Sequence, residues 1–202
     1  MFKNIYLHIL TAFFLWFVMF NPWMGLQPYF WALMACSSVI LISLAIKFGN
    51  LCLKIDLKQV IFGLIIAFVL WWVFWIGDKL SQIMFDFSRP QVDSIYNMGD
   101  GTSLWLVGLQ LLLLTGPAEE LFWRGYIQKR MSEQNGAFAG MLITLAIYTL
   151  IHIWSFNFML VMAAFVAGAA WGFLYYLKPS WLPALVISHA IWDAVVFAVF
   201  PI

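Results

Sequence analysis

The sequence predicts an all-α, polytopic membrane protein with about seven transmembrane helices enclosing a polar cavity. Three observations point there. Of 202 residues, 65% are hydrophobic and only 9% charged, whereas a soluble domain carries roughly 25% charged residues. The apolar residues fall into runs of about 20, the length that crosses a bilayer core. Within those runs lie a few ionisable residues, above all Glu119, Glu120, Arg124, His152, His189 and Asp193. Such groups are costly in a bilayer and are normally kept only where they face a protein interior or a wet cavity and do chemistry or transport.

The first apolar segment runs from Ile5 to Phe20. Lys3 precedes it, but Asn21-Pro22-Trp23 follows in place of a small-x-small cleavage site, so it reads as a retained helix. His8, near its start, reads as an interfacial histidine. The second segment spans Pro28 to Phe48 and stops at Gly49-Asn50, before a polar loop with Lys54, Asp56 and Lys58. The third runs from Gln59 to Gly77, and its tryptophans Trp71, Trp72 and Trp75 suit a membrane interface. The longest polar stretch, Asp78 to Thr102, comes next. Its part from Lys79 to Phe87 is expected to lie on the surface as a short amphipathic helix, and Gly99-Asp100-Gly101-Thr102 reads as a turn.

The fourth segment extends from Ser103 to Met131. Thr115-Gly116-Pro117 interrupts it. Proline lacks a backbone donor and clashes with the preceding turn, so a kink or a restarted helix is expected, with Glu119 and Glu120 near its positive end. The fifth segment spans Gly140 to Trp154 and the sixth Phe158 to Leu177. The sixth is rich in small residues (Ala163, Ala164, Ala167, Gly168 and Gly172 among them), which let helix backbones approach closely. The seventh begins at Trp181-Leu182-Pro183.

Loop charges set orientation. With the N-terminus inside, the inner loops hold Lys3, Lys47, Lys54, Lys58, Lys129, Arg130 and Lys178, against Lys79 and Arg89 outside. The expectation is a cytoplasmic N-terminus and an outer C-terminus, in what we take to be a bacterial plasma membrane. The net charge is +1 and no basic run occurs, so no nucleic-acid partner is expected. Cys36 and Cys52 would lie about 24 Å apart on one continuous helix, too far to bridge, and read as free thiols.

Glu120 and Arg124 are four residues apart, acid before base, and should pair on one helix face. Glu119 points about 100° away and is left without an obvious local partner, which suits a general base. His189 and Asp193 share the same spacing, so Asp193 can fix the tautomer of His189. Tyr148 and His152 repeat it on the fifth segment. Hydrolysis would use such a set. Glu119 and His152 would bind and activate water, and His189, with Asp193, would stabilise the oxyanion. Zinc held by Glu119, His152 and His189 is the alternative, since three protein ligands plus water describe catalytic zinc. Neither a His-Glu-x-x-His motif nor a Gly-x-Ser-x-Gly elbow occurs. Counted from these segment boundaries, Glu119 falls toward the inner half of its span and His152 toward the outer half of its own, although a site needs them together.

Glu119-Glu120-Leu121-Phe122-Trp123-Arg124 resembles the Glu-Glu-x-x-x-Arg signature of the CPBP family, the CAAX protease and bacteriocin-processing (Abi) intramembrane enzymes. Tyr148 to His152 resembles the family's second motif, and His189 to Asp193 its third. Order and separations agree from Leu111 to Phe197. The resemblance implies a helical fold around a conical, water-accessible cavity, similar to that of the type II CAAX prenyl endopeptidases. It carries water activation to Glu119 and His152, and the oxyanion hole to His189 and Asp193. It leaves Glu120, Arg124 and Tyr148 in support. An ionised Asp193, standing where Asn is also found, would repel an oxyanion and must be protonated or orient His189 instead. The prenyl endopeptidase reading is of a glutamate enzyme, so no cofactor is expected.

The whole chain, 1–202, thus reads as one integral membrane domain, with a three-helix part and polar loop (1–102) and a CPBP-like catalytic core (103–202). The expected function is intramembrane cleavage of a membrane-associated peptide or protein, lipidated or not. The alternatives are a non-proteolytic scaffold or immunity protein of the same fold, and a proton-coupled carrier. Carriers are often built from internal repeats, and none is evident.

Overall fold

The computed structural model describes residues 3–98 and 101–202, and among them there is no strand. The helices are α1 (Lys3–Phe20), α2 (Phe30–Phe48), α3 (Leu57–Met84), α4 (Ser88–Tyr96), α5 (Leu104–Asn135), α6 (Ala137–Ser155), α7 (Phe158–Leu177) and α8 (Leu182–Ala198). Six of them are long and apolar enough to cross a membrane, and α1 is a shorter apolar helix. Side-chain capping marks the starts of α3 and α7. Asp56 accepts a hydrogen bond from the Gln59 amide (2.8 Å) and Asn157 from the Leu160 amide (2.9 Å). Gly136, at φ 87°, is the whole connection between α5 and α6, and this backbone conformation favours glycine.

Three expectations are corrected. The third helix does not stop at Gly77 but continues to Met84, so the stretch expected as a surface helix from Lys79 is mostly its last turns. The short helix is α4, further along. The longer α3 is possible because Asp78 is buried with its carboxylate served by Lys79 (3.2 Å), Gln82 (2.6 Å) and Arg89 (3.4 Å). The fourth helix does not restart at Pro117. It widens instead, in π-type turns over Leu111–Thr115 and Trp123–Gln128, and the Gly116 amide reaches back to the Leu111 carbonyl. A wider turn accommodates a residue that brings a ring and no donor. Glu119 and Glu120 therefore sit inside a continuous helix rather than at a helix end. His8 is no interfacial residue: it is buried, with Nδ1 2.7 Å from the Tyr126 hydroxyl and its ring against Phe48. The turn expected at Gly99-Asp100-Gly101-Thr102 lies partly outside the described residues. Cys36 and Cys52 are both free and exposed.

The mismatch in depth between Glu119 and His152 disappears with the observed boundaries. The helix holding Glu119 continues to Asn135, 16 residues on, and His152 lies 15 residues after Ala137. Across a one-residue turn, the two rise to about the same level, some 23 Å from it.

Helix α8 packs against α3 and α5, α2 packs on α5, α6 on α7, and α1 on the last turn of α6. Close approach decides the contact of α5 with α8. A Cβ on Gly116 would lie 2.6 Å from Ala190 Cα, so only glycine lets these backbones touch. That contact sets the double glutamate of α5 beside His189 of α8.

Candidate active site

A cavity of about 580 Å³ is lined by Glu119, Tyr148, His152, His189 and Asp193, together with apolar side chains such as Phe30, Met34, Phe74 and Phe158. Three helices supply its polar end: α5, α6 and α8. The residues singled out from sequence thus meet, but they divide into two groups.

Glu120 belongs to the first. It is fully buried, and its Oε1 accepts from Arg124 Nη1 at 2.7 Å and lies 2.9 Å from His189 Nδ1. Arg124 Nη2 donates to the Gly168 carbonyl at 3.1 Å, and its guanidinium lies over the Tyr148 ring, 4.8 Å from the centroid. Gly168 is needed there, because a Cβ would come within 2.8 Å of that ring. The ion pair expected from the spacing forms, and it extends to a third member, His189.

Glu119 belongs to the second group. Its Oε2 accepts from the Tyr148 hydroxyl at 2.8 Å, and it has no ion-pair partner among the described residues. Tyr148 links it to His152, whose Nδ1 donates to the Tyr148 carbonyl at 2.8 Å. With Nδ1 protonated, the other nitrogen of a neutral imidazole is an acceptor. That Nε2 accepts the indole N–H of Trp16 at 3.1 Å. His189 Nε2 lies 3.4 Å from Asp193 Oδ2, so Asp193 faces the imidazole as the spacing predicts.

Two residues escaped the sequence reading. Trp16 comes from α1, far from every motif, and nothing in its neighbourhood sets it apart from other membrane tryptophans. Trp171 stacks on His189 (centroids 3.9 Å apart, planes at 16°) and donates to the Ser188 hydroxyl at 3.1 Å. A signal existed for Trp171, the single tryptophan of α7, set between Ala170 and Gly172.

The zinc alternative can be tested on this geometry. Both nitrogens of His152 are engaged by Trp16 and Tyr148, and those of His189 face Glu120 and Asp193. No three His, Cys, Asp or Glu side chains among the described residues form a group able to hold a metal ion. As placed, these residues do not fit a zinc centre, and no step is routed through one.

Toward the loops, the cavity is rimmed by α4. Tyr96 accepts from the Ile202 amide at 3.0 Å, and Arg89 donates to the Ile202 carbonyl at 3.2 Å. Burial raises the Tyr96 phenol above its ordinary value, and the hydrogen bond to Asp93 does the same for the Arg89 guanidinium. At neutral pH the rim thus presents a neutral hydroxyl and a fixed cation.

Residues 101–195, which include all three motif segments, match the family model described as type II CAAX prenyl endopeptidase Rce1-like. Residues 101–195 are thus a domain of the CPBP family of CAAX proteases. The match covers a little under half of the chain and excludes α1 to α4, so Trp16 and the Arg89–Tyr96 rim lie outside the CPBP domain. No curated protein and no solved structure matches the chain.

Proposed function

We propose that the chain is an intramembrane endopeptidase that uses Glu119 as general base. One observation carries this reading: of two adjacent glutamates, Glu120 is tied to a cation and Glu119 faces the cavity without one. A base must keep a lone pair for water and lie within reach of it.

In this reading Glu119 takes a proton from a cavity water, and the resulting hydroxide attacks the scissile carbonyl carbon. His152 holds that water through Nε2 once the Trp16 indole yields the lone pair. The carbonyl oxygen becomes an oxyanion. His189 is held at Nδ1 by Glu120 (2.9 Å), whereas Asp193 stands 3.4 Å from Nε2, so the Nε2–H is the one that would turn to the oxyanion. Asp193 then orients His189 rather than touching the oxyanion. Collapse of the intermediate breaks the C–N bond, and Glu119 returns its proton to the leaving amine. The substrate is a membrane-associated peptide or protein, whose apolar part the mainly apolar cavity wall would take. The N-terminus is proposed to be cytoplasmic and the C-terminus external, from the seven-to-two distribution of loop cations.

The test is cleavage of a fluorogenic lipidated peptide by purified protein, with parent, Glu119→Ala and His152→Ala, each with and without chelator. Loss of cleavage by about 10²-fold or more in both variants, unaffected by chelator, is the expected result. Full cleavage by Glu119→Ala, or cleavage abolished by chelation and restored by zinc, overturns the mechanism.

A further inference from the structure

The cavity occupies only one half of the bundle. Its lining begins at mid-membrane with Glu119 and ends at the rim with Met84, Phe85, Tyr96 and Met98. Apart from Trp171, about one turn past the middle of α7, the lining segments lie in the half that leads to the α1–α2 connection, to α4 and to the end of α8. The opposite end is closed by cations bonded across loops. Lys129 Nζ donates to the Gly49 and Asn50 carbonyls, both at 3.0 Å, and Arg130 donates to the Phe48 carbonyl at 3.2 Å.

Charge is divided in the same way. Lys47, Lys54, Lys58, Lys129, Arg130 and Lys178 all belong to the closed end, and the sequence adds Lys3. The cavity end has two cations, Lys79 and Arg89, and both face Asp78. Excess Lys and Arg in short loops marks the cytoplasmic side, and acidic residues contribute little to that rule. The helix order fixes which loops share an end, so the cavity and the basic loops must lie on opposite sides of the membrane.

From this we propose that the cavity opens to the extracytoplasmic side and receives apolar segments of peptides presented there, in or on the outer leaflet. That such a peptide is cleaved rests on the protease reading; the side to which the cavity opens does not. The wall fits the proposed ligand. Its acidic lining residues are Asp78, Glu119 and Asp193, and no lysine or arginine is among the lining residues. A lipid-bearing or apolar uncharged segment therefore meets mostly Phe, Met, Val and Ala, and finds ionisable groups near the scissile bond and at Asp78.

Sidedness is measured by labelling intact cells that express the full chain with a membrane-impermeant maleimide. One variant keeps Cys52, in the loop at the basic end, with Cys36→Ser. A second carries Asn97→Cys, at the exposed end of α4, with Cys36→Ser and Cys52→Ser. The expected result is labelling of the Asn97→Cys protein in intact cells and of Cys52 only after lysis. Labelling of Cys52 in intact cells, or of Asn97→Cys only after lysis, overturns the proposal. Neither readout needs cleavage, so an error about proteolysis and an error about sidedness are told apart. In the parent, a membrane-impermeant fluorogenic peptide added to sealed right-side-out vesicles should be cleaved at least about tenfold faster than with inverted vesicles. The reverse ratio contradicts the proposal.

Discussion

Glu119 and Glu120 are neighbours in sequence, yet they stand in two different regions of the molecule. Glu120 lies on the side of α5 packed against α7 and α8, where Arg124 and His189 converge on one of its oxygens. Glu119 lies on the side that faces the cavity and meets only the Tyr148 hydroxyl. The roughly 100° between consecutive helical residues is enough to separate an ion-paired group from one that faces the cavity. A buried ion pair is not in itself a gain in stability, but removing one partner is costly. The same motif therefore contains a part that holds α5, α7 and α8 together and a part that faces the cavity without an ion pair.

The sharpest way to break this contrast is to remove the staple. Glu120→Ala should lower stability by about 3–5 kcal/mol, because Arg124 and His189 lose their shared anion. Thermal unfolding in detergent reads the effect, and a melting temperature unchanged from the parent would contradict it. A smaller effect is expected on the cavity side. Trp16→Phe keeps an aromatic ring but removes the N–H that holds His152 Nε2. The change should alter the rate of cleavage by roughly fivefold, in line with the free energy of about 1 kcal/mol for a single hydrogen bond. It should also shift the ¹⁵N resonance of His152 Nε2 with little change in melting. A resonance identical to the parent's would show that Trp16 does not touch the imidazole in solution.

Much of this contrast was legible in the sequence. The i, i+4 spacing announced the Glu120–Arg124 pair and the His189–Asp193 contact, since helical geometry alone brings such residues together. The apolar runs gave the helices, with α7 matching its expected bounds from Phe158 to Leu177. Other features depended on tertiary packing. A buried Asp78 with three donors lets α3 continue through a charged stretch that hydropathy ends at Gly77. The turns that accommodate Pro117 have no local signature beyond the proline itself. His189 as the third member of the Glu120 cluster requires the α5–α8 contact at Gly116, because the two residues are 69 apart in sequence and share no local pattern. Trp16 reaches the site only because α1 packs on the last turn of α6.

The measurement that tests the division most directly compares Glu119→Gln with Glu120→Gln for both peptide cleavage and thermal unfolding, on matched preparations. Both substitutions preserve shape and remove one carboxylate. Glu119→Gln should lose cleavage by about 10²–10⁴-fold while melting close to the parent. Glu120→Gln should show the larger fall in melting temperature. If Glu119→Gln cleaves at the parental rate, or if it is the variant that unfolds while Glu120→Gln melts like the parent, the two glutamates do not have the separate roles assigned to them.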